Sequence, residues 1–209
     1  MTPSPLPLSL HDCVGLLETS SVARGIAAAD AMVKEAAVRV LSSRPIQPGR
    51  YATLVDGMVD EVRKALDRGS ERAGDAWVDE LWLPSVHPDV LPAAFDPGDL
   101  AVEESLGILE ASSISATLRA ADRAAKTSRA RVVFVRLADG LGGKGYFLVT
   151  GAIDDVEASI DAAAELVSAS GGLVSRVVLP RLHGDIEPFL RTGDGRPEGL
   201  PGLSSPSGR

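Results

Sequence analysis

Apolar residues along the chain follow two recurring rhythms. The segment VGLLETS from Val14 is a short, nearly continuous apolar run. Bounded by polar residues, it reads as a strand. The stretch after it places Val22, Ile26, Ala29 and Val33 three or four positions apart, the spacing of one helical face. Ser20 or Ser21 stands where that helix begins and is a suitable N-cap. A β-branched run around Val38 predicts a second strand, and Leu54 with Val55 a third. MVDEVRKALDRG from Met58 returns to the helical rhythm, Trp77 to Leu83 reads as a closing strand, and a short helix follows.

The whole pattern then repeats. LGILEASSISATLRAADRAAK from Leu106 aligns without a gap to VGLLETSSVARGIAAADAMVK from Val14. Gly15 meets Gly107, Glu18 meets Glu110, Ser20-Ser21 meets Ser112-Ser113, Asp30 meets Asp122 and Lys34 meets Lys126. VRVLSSR pairs with ARVVFVR, and Gly57 pairs with Gly151 after a loop two residues longer in the second copy. Phe147 to Val149 and Leu173 to Leu179 supply the matching strands, and LPSVHPDVLP matches LPRLHGDIEP. Matched blocks keep one order, which is duplication without circular permutation. The expected fold is α/β (α+β): two tandem ferredoxin-like domains, each an antiparallel-rich four-stranded sheet with helices. The expected boundaries are an N-terminal tail over 1–11, a first domain over 12–97, a linker over 98–104, a second domain over 105–192 and a tail over 193–209. That last tail is rich in Gly, Pro and Ser and is expected to be disordered.

Composition narrows the function classes. A net charge of −8 over 209 residues lacks the basic footprint of a nucleic-acid scaffold. No apolar run reaches the roughly 18–20 residues of a membrane span, and MTPSPLPLSL lacks the basic start of a secretion signal, so a cytosolic location is expected. The one cysteine, Cys13, expected just before the first strand, excludes an intramolecular disulfide.

Chemical motifs are few. Gly140, Gly142 and Gly145 spell G-x-G-x-x-G, but the YFLVTG that follows reads as a strand. A dinucleotide site needs a helix N-terminus there. His87 with Asp89 and His183 with Asp185 recur in both copies. Two ligands without a third make a poor metal site, so local hydrogen bonding at the start of the short final helix weighs more than a metal or acid–base pair. Glu18 and Glu110 recur at strand ends with no catalytic partner identifiable; helix capping or contact with a neighbouring chain is the expectation. No nucleophile elbow or Ser-His-Asp order is present, so an enzyme is not expected.

The two blocks GLLETSSVARGIAAADAMVK and GILEASSISATLRAADRAAK, the glycine-containing loop between strands and the LP..H.D ending resemble the bacterial microcompartment shell domain, in its tandem, trimer-forming type. The resemblance runs from Asp12 to Leu190. It implies a homotrimer of six domains forming a pseudohexagonal tile of a shell in the cytoplasm, alongside other hexameric and pentameric shell proteins and around encapsulated enzymes. It implies a pore on the three-fold axis lined by Pro45, Ile46, Gln47, Pro48, Gly49 and Arg50 from one copy, and by Asp139, Gly140, Leu141, Gly142, Gly143 and Lys144 from the other. Arg50 and Lys144 would then bring positive charge to the axis and favour small anions. Lys34 and Lys126 match a tile-edge lysine and Arg181 an edge arginine, with Ser85 in its place in the first copy. Some tandem members hold an iron–sulfur cluster on a pore cysteine; neither loop here has one, so no cofactor is expected. The rival expectation is a soluble trimeric ligand-binding or regulatory protein built from the same domains.

Overall fold

The computed structural model describes residues 13–95, 101–138 and 140–191. The expected N-terminal tail, residues 98–100 of the expected linker, Asp139 and the expected disordered tail lie outside these.

Each copy forms strand–helix–strand–strand–helix–strand and then a short helix. In the first, β1 (Cys13–Thr19), α1 (Val22–Glu35), β2 (Arg39–Ile46), β3 (Arg50–Gly57), α2 (Val59–Ala73), β4 (Trp77–Leu83) and α3 (Val90–Phe95) follow in order. In the second, the order is β5 (Ser105–Ala111), α4 (Ile114–Ala125), β6 (Arg131–Leu137), β7 (Gly145–Gly151), α5 (Ile153–Ser168), β8 (Leu173–Leu179) and α6 (Glu187–Arg191). The sheets run β2-β3-β1-β4 and β6-β7-β5-β8, with every described pairing antiparallel. This is the ferredoxin-like arrangement. The register irregularities recur too: Val40/Ser42 matches Val132/Phe134, and Glu18/Thr19 matches Glu110/Ala111.

Local chemistry explains the element ends. Of the two serines available at each helix start, Ser21 and Ser113 are the caps; their hydroxyls accept from the Arg24 and Ala116 N–H groups. Cys13 opens β1 rather than preceding it, and burial pushes its thiol pKa up, away from reactivity. Gly15 and Gly107 recur because a helix crosses them closely. A Cβ at Gly15 would lie 2.7 Å from Val62, and one at Gly107 2.6 Å from Ile160. No helix begins after the glycines of the second loop, where Gly145 starts β7, so the dinucleotide fingerprint is without its required context.

The sheet of the first copy is buried on both faces. Leu17, Val55, Met32 and Leu66 pack between β1, β3 and the copy's own helices. On the opposite face Val14, Leu16, Leu54 and Leu81 join one continuous core with Ile114, Leu118 and Ala121 of α4. The two domains are therefore packed through an apolar junction, sheet of the first against helix of the second.

Candidate functional site

Two inter-strand loops lie side by side at one end of this junction. The first is shorter than expected. Pro45 and Ile46 belong to β2, with Ile46 buried, and Arg50 opens β3, which leaves Gln47, Pro48 and Gly49 as the turn. The second runs from Ala138 through Gly140, Leu141, Gly142 and Gly143 to Lys144. Leu141 N–H donates to the Ala138 carbonyl and Lys144 N–H to the Leu141 carbonyl, both at 3.3 Å, and Ala138 N–H closes back on the Lys144 carbonyl at 3.0 Å. Gly143, at φ +90°, presses on the first loop: a Cβ there would lie 2.9 Å from the Gln47 carbonyl oxygen. Arg44 reaches across to donate to the Leu137 carbonyl at 3.0 Å.

Both cations at the loop ends are matched by carboxylates. Arg50 lies 3.6 Å from Glu18, and Lys144 lies 2.5 Å from Glu110. Register explains the recurrence. Glu18 opposes Ala52 and Glu110 opposes Tyr146, so each cation stands two positions before its glutamate's cross-strand partner, within diagonal reach. Within the chain each loop cation is thus offset by a carboxylate, and the recurring glutamates have an ionic partner that sequence reading did not identify. The signal was available in the duplicated strand register.

The two glutamates differ in setting. Glu18 is fully buried beside Asp79, its cross-strand neighbour on β4. Desolvation pushes its pKa above the usual carboxylate range and Asp79 adds to this, while Arg50 and the backbone and hydroxyl of Ser115 oppose it. Its carboxylate oxygens and the Ser115 hydroxyl are buried without a well-formed hydrogen bond. Glu110 is one-third exposed, and its β8 neighbour is Ser175.

The expected edge residues are dispersed. Lys34 is exposed and pairs with Asp30 at 2.6 Å. Lys126 pairs with Asp122 at 2.7 Å and also donates to the Ser85 carbonyl of the first domain, while Asp122 accepts from the His87 N–H at 2.8 Å. Arg181 is exposed and lines an open cleft of about 360 Å³ with Glu103, Glu104 and Glu187. His87 and His183 accept from the Asp89 and Asp185 N–H groups, each at 3.3 Å, which is the local bonding expected.

Equivalent surfaces of the two copies are buried to very different extents. Nine of the twelve residues of α4 are buried, against three of fourteen in α1. Ile114, Leu118 and Ala125 are buried, while their counterparts Val22, Ile26 and Val33 are exposed. The apolar stripe read from the sequence therefore points away from the core; Gly25, Ala28 and Met32 face inward instead. The receiving side shows the reverse. Leu81 on β4 is covered, and its counterpart Val177 on β8 is 45% exposed. Val90 of α3 is buried, whereas its counterpart Ile186, in the turn just before α6, is 48% exposed.

The BMC domain model matches residues 13–86 and again 105–182. The bacterial microcompartment shell protein PduT of Citrobacter freundii is 40% identical over 174 residues, spanning 83% of this chain and 95% of that one. The shell protein EutM of Escherichia coli is 35% identical over 102 residues, 49% of this chain and 97% of its own. The crystal structure of a microcompartment protein from Desulfitobacterium hafniense superposes with a TM-score of 0.79 at 40% identity, covering 84% of this chain and 97% of that one.

Proposed function

The chain belongs to the BMC-domain family, as a structural shell protein of a bacterial microcompartment with two such domains, and from that premise we propose that three copies close head to tail into a pseudohexagonal tile with a central pore. One observation carries the reading. The chain contains one finished domain junction and, at its two ends, the two unfinished halves of another: the outward stripe of α1, and the open face of β8 and α6. A surface complementary to a different surface of the same molecule associates heterologously, and it closes into a ring when the rotation permits. Val22, Ile26 and Val33 are one-third to one-half exposed, so covering each contributes roughly 1 kcal/mol, a favourable term that acts with the rest of the junction against the cost of association.

In this ring the adjacent loops Gln47–Gly49 and Gly140–Lys144 face the axis. Lys34 and Arg181 are proposed for the outer edge, with Lys126 shared between the edge and the internal junction. Because Glu18 and Glu110 offset Arg50 and Lys144, the pore discriminates by width and backbone hydrogen bonding more than by a ring of charge. Neither loop carries a thiol, so this pore offers no ligand to an iron–sulfur cluster. Other shell proteins are its proposed lateral partners, and enzymes its proposed cargo.

Sedimentation velocity and negative-stain electron microscopy test the reading together. The expected result is a three-chain particle that forms sheets or enters shells with single-domain partners. A monomer at every concentration defeats it, and discrete trimers that bind a metabolite and never tile favour the regulatory alternative.

A further inference from the structure

The finished junction has an acidic residue at its centre. Glu18 leaves β1 on the face that meets the second domain and approaches the start of α4, where Ser115 is the second helical residue. Ser113 caps that helix by accepting from the Ala116 N–H at 3.1 Å. The N–H groups of Ile114 and Ser115 remain without helical partners, and a carboxylate is the group such a terminus attracts. Both Glu18 oxygens and the Ser115 hydroxyl are buried without a hydrogen-bond partner among the described residues, and the backbone and hydroxyl of Ser115 act on the Glu18 carboxyl at this point.

Glu110 occupies the matching position on β5, on the open side of the second domain. The matching helix start is that of α1. Ser21 caps it by accepting from the Arg24 N–H at 3.3 Å, and Val22 and Ala23 are exposed. We infer that Glu110 seats a second copy of this chain, its carboxylate receiving the Val22 and Ala23 N–H groups at the start of that copy's α1. Lys144, 2.5 Å from Glu110, remains as counter-ion.

The inference rests on the head-to-tail reading and adds a residue to it. The seat between copies also differs from the one inside the chain. Ser175 stands where the internal seat has Asp79, and Ala23 stands where it has Ser115. The junction that must form between separate molecules therefore has one carboxylate at its centre, where the tethered junction crowds two.

The test uses the full chain in a Cys13→Ala background. Glu110→Cys combined with Ala23→Cys is expected, on mild oxidation, to give chains linked to one another on non-reducing gels. Glu18→Cys with Ser115→Cys is expected to link within a chain, leaving its mass unchanged. Separately, Glu110→Ala is expected to weaken association about tenfold per junction, read by sedimentation equilibrium, with an unchanged circular dichroism spectrum. Wild-type rings combined with no inter-chain link and unaltered association overturn the Glu110 seat alone. A wild-type protein that never associates overturns both the seat and the ring.

Discussion

The two halves share topology, strand register, helix caps and even strand irregularities, yet they use one helix in opposite ways. In the second half α4 lies between two sheets; in the first, α1 covers only its own. Val22 and Ile26 are as apolar as Ile114 and Leu118, so composition does not explain the contrast. Position does. A helix in this unit has two apolar faces, and the second needs a neighbouring domain, which the chain itself supplies to one helix only. A duplicated molecule thus displays its assembled and unassembled states side by side.

The most forceful way to break the comparison is to place a charge at equivalent points. Ile26→Glu is expected to abolish association at micromolar concentration, while the melting of the isolated chain shifts by no more than about 0.5 kcal/mol, as for other surface changes. Leu118→Glu, at the matching position, buries an unpaired charge and is expected to destabilise the fold by about 4 kcal/mol or more. Sedimentation and thermal melts of the two variants check the pair, and equal effects on folding would refute the assignment of faces.

A second test concerns an interlock. In the first half, a Cβ at Gly25 would lie 2.5 Å from Tyr51 and 2.6 Å from the Thr19 hydroxyl. In the second half, the positions matching Gly25, Tyr51 and Thr19 hold Thr117, Gly145 and Ala111. A Cβ at Gly145 would in turn lie 2.5 Å from Thr117. The bulk has changed sides. A helical Gly→Ala change ordinarily stabilises by roughly 0.5–1 kcal/mol. Gly25→Ala is instead expected to destabilise by about 1–3 kcal/mol through overpacking. Adding Tyr51→Gly should show a coupling of about 0.5–3 kcal/mol. Chemical denaturation of the four members of the cycle measures it.

A subtler difference separates the two glutamates. The folded-state pKa of Glu18 is raised, chiefly by desolvation. Its contribution to stability is therefore full below the unfolded carboxylate pKa and is lost as pH rises through the folded value. Glu18→Gln, which mimics the neutral acid, is expected to melt higher than wild type at pH 7, and the gap should close as pH falls below the ordinary carboxylate range. A gap that widens on acidification would reverse the sign. The smallest effect is expected at the caps: Ser21→Ala and Ser113→Ala should each cost about 1 kcal/mol, measured on the dissociated chain.

Much of this was legible from the pattern alone. The repeat, the strands closing at Leu83 and Leu179 and the short final helices follow from apolar spacing, because both copies obey the same periodicities. The site was less legible. The stripe Val22–Ile26–Val33 has the spacing of a core face, and periodicity does not distinguish a face buried within a chain from one kept for another copy. The partners of Arg50 and Lys144 needed strand register, which a linear reading of either copy lacks, although overlaying the two would have exposed the diagonal. The resemblance implied a pore segment from Pro45 to Arg50, yet Pro45 and Ile46 extend β2 and Arg50 opens β3.

The interlock around Gly25 and Gly145 also bears on heredity. Tandem copies in one gene tend to be homogenised when a stretch of one is copied over the other. A short tract carrying Thr117 into position 25 without Gly145 into position 51 would set Thr against Tyr; the reverse tract would leave glycine facing glycine across a hole. An exchange spanning both sites keeps the packing complementary, whereas a short one lowers stability, so this small steric lock favours copies that stay different from one another.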